Sequence, residues 1–92
     1  MNDHLSDDAM LELERLSAAA DPPPWKAMVE GRDHTAGDSF IQVGDGSARR
    51  EDLYVSRDGA PAGAVDLDLI AAARNALPLL LDEVRRSRAR QE

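Results

Sequence analysis

The sequence predicts an α+β protein with the element order α-β-β-β-α, folded as one small domain over residues 1–92. Apolar residues recur every three or four positions near both ends of the chain, as on one face of a helix. In the middle they alternate with a period of two, as in a half-buried strand. Turn-forming residues separate the alternating stretches, which favours hairpins. We therefore expect a three-stranded antiparallel sheet with N- and C-terminal helices.

The first helix is predicted over residues 6–20. Ser6 can cap it, and the two aspartates that follow suit the positive end of the helix dipole. The apolar positions at helical spacing are Met10, Leu13, Leu16 and Ala20. Three prolines then make residues 21–24 a stiff linker, because proline disfavours helical geometry in the residue before it and has no N–H to donate. The linker delivers Trp25 to a fixed position, where we expect it to anchor the core.

The sheet is predicted as a meander over residues 25–56. Its strands are residues 25–30, 39–43 and 52–56, which are bounded by turn residues. Both connecting segments are of hairpin-compatible length. Residues 57–65 are expected to form a surface loop before the closing helix.

A kinked helix is predicted over residues 66–90, with Asp66 as its cap. Two apolar strips run along it: Ile70, Ala73, Leu77, Leu80 and Val84 form one, and Leu69, Ala72, Ala76 and Leu79 form the other. A helix with so much apolar surface packs on more than one side. We therefore expect a homo-oligomer, most simply a dimer through this helix. Pro78 removes one helical hydrogen bond, so the helix either kinks there or restarts with Asn75 as a new cap.

Composition and charge exclude several classes of protein. The chain has no cysteine, so it holds neither disulfides nor cysteine-based zinc sites. Its net charge of −7 argues against nucleic acid as a partner, because the phosphate backbone attracts basic surfaces. No apolar run approaches the roughly 18 residues of a membrane span, and the N-terminus lacks the features of a signal peptide. We expect a cytoplasmic protein with no membrane partner.

The loop Glu30-Gly31-Arg32-Asp33-His34 is the first candidate site. It can present Arg32 and His34 to an anion, with Asp33 orienting the imidazole. The alternative is a polar hairpin tip, in which glycines allow positive φ and aspartates make local turn hydrogen bonds. No metal or other cofactor is predicted, because the chain has two histidines and neither lies in a motif such as His-Glu-x-x-His.

Arg74 is the second candidate, because it falls between the two apolar strips of the closing helix. A charge there is costly unless it is paired or hydrogen-bonded. Its guanidinium can bind a phosphate or carboxylate of a ligand. The structural alternative is an ion pair with one of three acids, which are Asp66, Asp68 and Glu30. Trp25 and Tyr54 pack in the core by default, but either ring can also stack on a base.

The stretch "PPPWKAMVEGRDHTAGDSF", followed by "DLDLIAAARNALPLLLDEVRR", resembles a small module of phage and prophage genes. It is similar to the lambdoid phage ead-like early-region family, which pairs a Pro-Trp start with a closing helix of this pattern. The matching positions are Pro24, Trp25, Asp68, Ile70, Ala71, Ala72, Ala73, Arg74, Pro78, Leu80, Leu81 and Glu83. The resemblance covers roughly residues 11–88 and implies an accessory gene of mobile elements, where counter-defence or regulatory binding roles are common. It brings no established activity with it.

These observations favour a non-catalytic accessory protein that binds a small anionic ligand, such as a nucleotide signal, at a subunit interface. The predicted binding residues are Arg32, His34, Arg74, Trp25 and Tyr54. One alternative is an acidic interaction protein that blocks or regulates a protein partner through residues 1–24, where six acids and one base give a net charge of −5. Another is a small hydrolase that uses Asp33 and His34. Arginines lining a concave interface would favour the ligand, whereas an exposed apolar or acidic patch without a pocket would favour the protein partner.

Overall fold

The computed structural model describes residues 4–91 and has an α+β fold, which confirms the predicted class. Within these residues it contains two helices and two small antiparallel sheets of two strands each. In chain order the elements are α1 (Asp7–Ala19), β1 (Trp25–Met28), β2 (Phe40–Val43), β3 (Ser56–Arg57), β4 (Ala60–Pro61) and α2 (Ala64–Arg90). One 3-10 turn, Gly46–Ala48, lies between β2 and β3.

Helix α1 begins with the predicted cap. The Ser6 hydroxyl oxygen accepts a hydrogen bond from the backbone N–H of Ala9 at 3.0 Å. The helix ends at Ala19, just before the proline linker. Met10 is fully buried, whereas Leu16 is about half exposed. The amphipathic pattern of the sequence therefore forms the helix that it predicts, although only part of its apolar face is covered.

Strands β1 and β2 pair in antiparallel fashion, with Trp25 opposite Val43. Residues 52–56 do not form the third strand of this sheet. Leu53 makes one antiparallel bridge to Ile41, with backbone hydrogen bonds of 2.8 and 2.9 Å. The predicted three-stranded meander is therefore replaced by a two-stranded sheet with a single bridge at the β2 edge.

Strand β3 begins at Ser56, the last residue of the predicted third strand, and pairs with β4 inside the stretch 57–65 that was predicted to be a loop. Asp58 and Gly59 form the turn of this hairpin, with φ values of 52° and 85°. Positive φ at both central residues is the geometry in which an Asp-Gly pair is preferred. Pairing across so short a turn costs little chain entropy, which favours this hairpin.

One face of the β1–β2 sheet packs on α2 to form the core. The buried residues of this cluster are Ala27, Ile41, Val43, Ala62, Leu67 and Ala71. Asn75 of α2 also holds the end of β1: its Oδ1 accepts the backbone N–H of Trp25, and its Nδ2 donates to the backbone oxygen of Trp25, both at 2.7 Å. An amide side chain of the helix thus satisfies the backbone groups that a neighbouring strand would otherwise satisfy.

Helix α2 runs without interruption through Pro78 and begins two residues earlier than predicted. Gly63 occupies the N-cap position and Asp66 lies in the first turn, so the prediction that Asp66 is the cap is wrong. The alternative in which Asn75 caps a new segment is also wrong, because Asn75 lies inside the helix and its side chain binds β1. The kink at Pro78 stays a prediction.

The chain is extended rather than spherical. Its extents are 53 × 36 × 20 Å, and its radius of gyration of 16.1 Å exceeds the value of about 12 Å expected for a compact chain of this length. Its accessible surface is 6799 Å², against about 5,200 Å² for a typical folded monomer of 10.0 kDa. A single copy therefore exposes on the order of 1,500 Å² more surface than a compact chain would.

Candidate functional site

The loop that carries Arg32 is tied to α2 by ion pairs. Nη1 and Nη2 of Arg32 donate to the two carboxylate oxygens of Asp68, each at 2.9 Å, and Nε donates to Asp33 at 3.0 Å. Bidentate contact is the strong form of an arginine–carboxylate interaction. The hydrogen bonds between Arg32 and Asp68 lower the pKa of the carboxyl and raise the pKa of the guanidinium. The guanidinium that was predicted to meet an anion is thus already bonded to two carboxylates of its own chain.

His34 is held in the turn by contacts to main-chain oxygens. Its Nδ1 lies 2.9 Å from the backbone oxygen of Ala36, and its Nε2 lies 3.3 Å from that of Met28. A neutral imidazole donates a hydrogen bond from one of these nitrogens at a time. The ring also lies 5.4 Å from the ring of Phe40. One ring nitrogen at a time can therefore donate a hydrogen bond within the turn, while the other lies against a main-chain oxygen.

Asp33 stabilises the turn rather than the imidazole. Its carboxylate accepts hydrogen bonds from the Val29 N–H at 2.8 Å and from Arg32. The bond from Val29 is the main cause of the lowered pKa of Asp33. The turn is closed by a 2.7 Å hydrogen bond from the Gly31 N–H to the backbone oxygen of His34, with a φ of 85° at Gly31. The prediction that Asp33 orients His34 is wrong, and the loop has the geometry of a hydrogen-bonded hairpin tip.

Titration of the two carboxyls tests these contacts. In the wild type, we expect Asp33 and Asp68 to titrate below the ordinary value of 3.8, because hydrogen bonds favour their charged forms. Since both pKa values are lowered in the folded protein, the stabilisation is present above the ordinary value and is lost as the pH falls through the lowered values.

The variant Arg32→Gln should affect the pKa values of the two carboxyls differently. The pKa of Asp68 should return to its ordinary range, because its main hydrogen-bond donor is removed. The pKa of Asp33 should remain lowered, because the Val29 N–H still donates to it. NMR of the carboxyl carbons measures both titrations, and an unchanged Asp68 midpoint in the variant would contradict the pairing.

Arg74 is buried and caps the C-terminal end of α1. It is 8% exposed. Its Nε donates to the backbone oxygen of Asp21 at 3.1 Å, while Nη1 and Nη2 donate to the hydroxyl and backbone oxygens of Ser17 at 2.8 and 2.7 Å. The last carbonyls of a helix lack partners within it and lie at its negative end, so a guanidinium suits them. The predicted structural pair is wrong for all three candidate acids, which are Asp66, Asp68 and Glu30.

The two candidate aromatic residues have different surroundings. Trp25 is half-buried; its indole N–H donates to the backbone oxygen of Asp21 at 3.1 Å, and its ring centre lies 5.8 Å from the guanidinium carbon of Arg74. Tyr54 is 62% exposed, and its ring lies 5.4 Å from that of Phe40. Tyr54 also lines a small cleft of about 90 Å³. Of the two, Tyr54 presents the more accessible ring, while Trp25 belongs to the contact between the linker and α2.

The contacts divide the five candidate residues into three groups. Trp25 lies with Arg74, His34 is linked to Tyr54 through Phe40, and Arg32 pairs with Asp33 and Asp68. Nearby acids or main-chain oxygens accept hydrogen bonds from both candidate arginines. The arrangement therefore gives no cluster of uncompensated cations at the predicted positions.

A groove of about 490 Å³ lies between α1, the proline linker and α2. The two arginines that line this groove are also bonded to groups of the same chain. Arg74 is bonded to Ser17, and Arg85 makes a bidentate pair with Glu14 at 2.6 and 2.9 Å. Asp82 adds a further carboxylate to the lining. The groove therefore lacks the net positive lining that a phosphate ligand would require.

The solvent side of α2 carries a continuous row of apolar residues. Spacings of three and four place them on one side of the helix, opposite the core. We call this surface the exposed α2 face, and its members are Val65, Leu69, Ala72, Ala73, Ala76, Leu79 and Leu80, of which Ala76 is partly buried. Val65 is 80% exposed, Leu69 is 65% exposed and Leu79 is 69% exposed. Monomeric proteins rarely expose a large contiguous apolar patch, so this face is a candidate interaction surface.

The sequence predicted most of this face but not its first residue. Val65 lay before the predicted start of the helix and was assigned to a loop. Val65 lies four positions before Leu69, and this helical spacing could have shown that it belongs to the same face.

The fold and the surface define a small two-helix α+β protein with an exposed apolar helix face. None of the family models, curated proteins and solved structures compared with this chain matches it. Among residues 4–91, no helix combines the length and apolar character needed to cross a membrane. Over the same range, the acidic and histidine side chains form no group of three or more that could hold a metal ion.

Proposed function

We propose that this protein is a non-catalytic accessory protein that acts through protein–protein contact, as a homo-oligomer assembled on the exposed α2 face. The observation that supports this function is the face itself, since its apolar residues follow one side of α2 from Val65 to Leu80 without a polar interruption. Covering such a surface releases the water around it, which favours association.

Protein contact has better support in the geometry than binding of a small anion. A nucleotide phosphate at Arg32 would have to displace the bidentate carboxylate of Asp68. At Arg74 it would have to break three hydrogen bonds at the end of α1. At the buried Arg74, each hydrogen bond of the charged group contributes about 1.5–3 kcal/mol, which an incoming anion would first have to offset.

The charge of the chain favours a basic protein surface as the target of the oligomer. Each copy carries a net charge of −7, so a dimer of two copies carries −14. Such a field speeds encounter with a positively charged surface and disfavours nucleic acid. Residues 1–24 supply much of this charge, and residues 1–3 among them lie outside the described residues. The proposed action is to block or regulate the partner, and the resemblance to the ead-like family supports a mobile-element setting with a counter-defence role.

Light scattering coupled to gel filtration tests the assembly. The wild type at micromolar concentration should have a mass at least twice the 10.0 kDa of one chain. The variant Leu69→Glu should be a folded monomer, because it places a charge within a surface that must lose water to associate. Circular dichroism checks that its helices are retained, as expected for a residue that is 65% exposed.

Leu16→Glu is the matched control. It makes the same chemical change at a leucine of α1 that is 49% exposed, outside the exposed α2 face, and should leave the mass unchanged. A wild-type monomer would overturn the proposal.

Calorimetry of the wild type against mono-, di- and cyclic nucleotides tests the alternative function, which is binding of a small anion. If a nucleotide binds the wild type and Arg32→Gln abolishes this binding, the anion-binding alternative is restored.

A further inference from the structure

We infer that two copies of this chain pair through their exposed α2 faces in antiparallel orientation, with the two-fold axis beside Ala72 and Ala73. This inference rests on the proposed homo-oligomer and adds its orientation and register. A two-fold dimer uses the same patch on both subunits, so a single self-complementary face is sufficient to build it.

The order of large and small side chains along α2 sets the register. Three alanines occupy the middle of the exposed α2 face, while Val65 and Leu69 lie towards one end and Leu79 and Leu80 at the other. An antiparallel pair centred between Ala72 and Ala73 places Leu69 against the partner's Ala76. It also places Val65 against the partner's Leu80. Large side chains then meet small ones near the centre, which lets the two helices approach closely and interdigitate.

The charges at the two ends of α2 favour the antiparallel orientation. Residues 64–70 of α2 hold two acids and no base, whereas residues 82–90 hold four bases and two acids. Arg57 pairs with Asp66 and Arg86 pairs with Asp82, which leaves a smaller difference in charge between the two ends. In an antiparallel pair, the basic end of each helix meets the acidic end of the other. A parallel pair would bring together two sets of arginines and two helix dipoles of the same direction, which is unfavourable.

The surface area is consistent with one such interface. A standard protein interface buries about 800 Å² on each partner. The single copy exposes on the order of 1,500 Å² more surface than a compact chain of its mass. The area that one such interface buries on each partner is smaller than this excess. The face from Val65 to Leu80 is about 22 Å long at the rise of an α-helix, which is enough for four turns of contact.

Engineered cysteines read out the orientation directly, since the natural chain has none. A disulfide requires two Cα atoms to lie within about 7 Å. In the antiparallel dimer, the Ala73→Cys variant lies beside its own copy on the two-fold axis and should cross-link on oxidation. Val65→Cys alone and Leu80→Cys alone should not, because each lies about 22 Å along the helix from its own copy. An oxidised mixture of Val65→Cys and Leu80→Cys should form the mixed disulfide.

Leu16→Cys on α1 gives the background from random collision. Each variant is first shown by light scattering to keep the wild-type mass, and non-reducing gel electrophoresis then measures the cross-linked fraction. Strong cross-linking of Val65→Cys to itself would show a parallel pair and overturn the orientation while leaving the oligomer intact. An oligomer in which none of the α2 cysteines exceeds the background would overturn the interface. A monomeric wild type would overturn both the interface and the proposed function.

Discussion

Replacing Arg74 with alanine is expected to lower the free energy of unfolding by about 3–5 kcal/mol, a large part of the stability of a small domain. The guanidinium is 8% exposed and donates three hydrogen bonds to Ser17 and Asp21. Its removal leaves the hydroxyl and backbone oxygens of Ser17 without this donor near the end of α1, while the backbone oxygen of Asp21 keeps the indole N–H of Trp25. It also removes a cation from above the Trp25 ring.

Arg85→Ala is the matched control for this change. Arg85 also joins α2 to α1, through its pair with Glu14, but the contact is exposed to solvent. Exposed ion pairs contribute little, so Arg85→Ala should cost much less than Arg74→Ala. Urea unfolding followed by circular dichroism measures both. Equal losses in the two variants would contradict the structural role assigned to the buried arginine.

Replacing Trp25 with alanine is expected to cost about 3 kcal/mol, the lower end of the range for a large aromatic residue, because the side chain is half-buried. The ring packs against the core cluster, and its N–H donates to the backbone oxygen of Asp21. Trp25→Phe keeps most of the apolar contact but removes this hydrogen bond, so it should cost about 1 kcal/mol.

Tyr54→Ala provides the comparison for an exposed aromatic residue. Tyr54 is 62% exposed, and surface changes of this kind usually stay within about 0.5 kcal/mol. Thermal and urea unfolding of the three variants should therefore rank Trp25→Ala as the most damaging and Tyr54→Ala as the least. If Trp25→Ala and Tyr54→Ala melt alike, Trp25 is not a structural anchor and becomes a candidate contact residue again.

The sequence by itself determined the elements that depend on near neighbours. The cap at Ser6, the end of α1 before the prolines and the long apolar helix follow from spacing and from the chemistry of single residues. The hairpin at Asp58 and Gly59 was also encoded locally, and its Asp-Gly pair was a turn signal that the loop prediction overlooked. The turn geometry of the candidate loop also follows from its residues, because glycine and aspartate have strong turn preferences.

Only the tertiary structure decided which polar groups meet. Arg32 bonds Asp68 across 36 residues of sequence, Trp25 bonds Asn75 across 50, and Arg74 bonds Ser17 across 57. The spacing of apolar residues predicts that the guanidinium of Arg74 is buried and therefore needs hydrogen-bond acceptors. It does not show which acceptors the packing will bring within hydrogen-bond distance. The free carbonyls at the end of α1 proved better placed for Arg74 than any of the predicted acids. The tertiary packing also determines which side of α2 is buried. The sheet and α1 are too small to enclose a helix that is apolar on both sides.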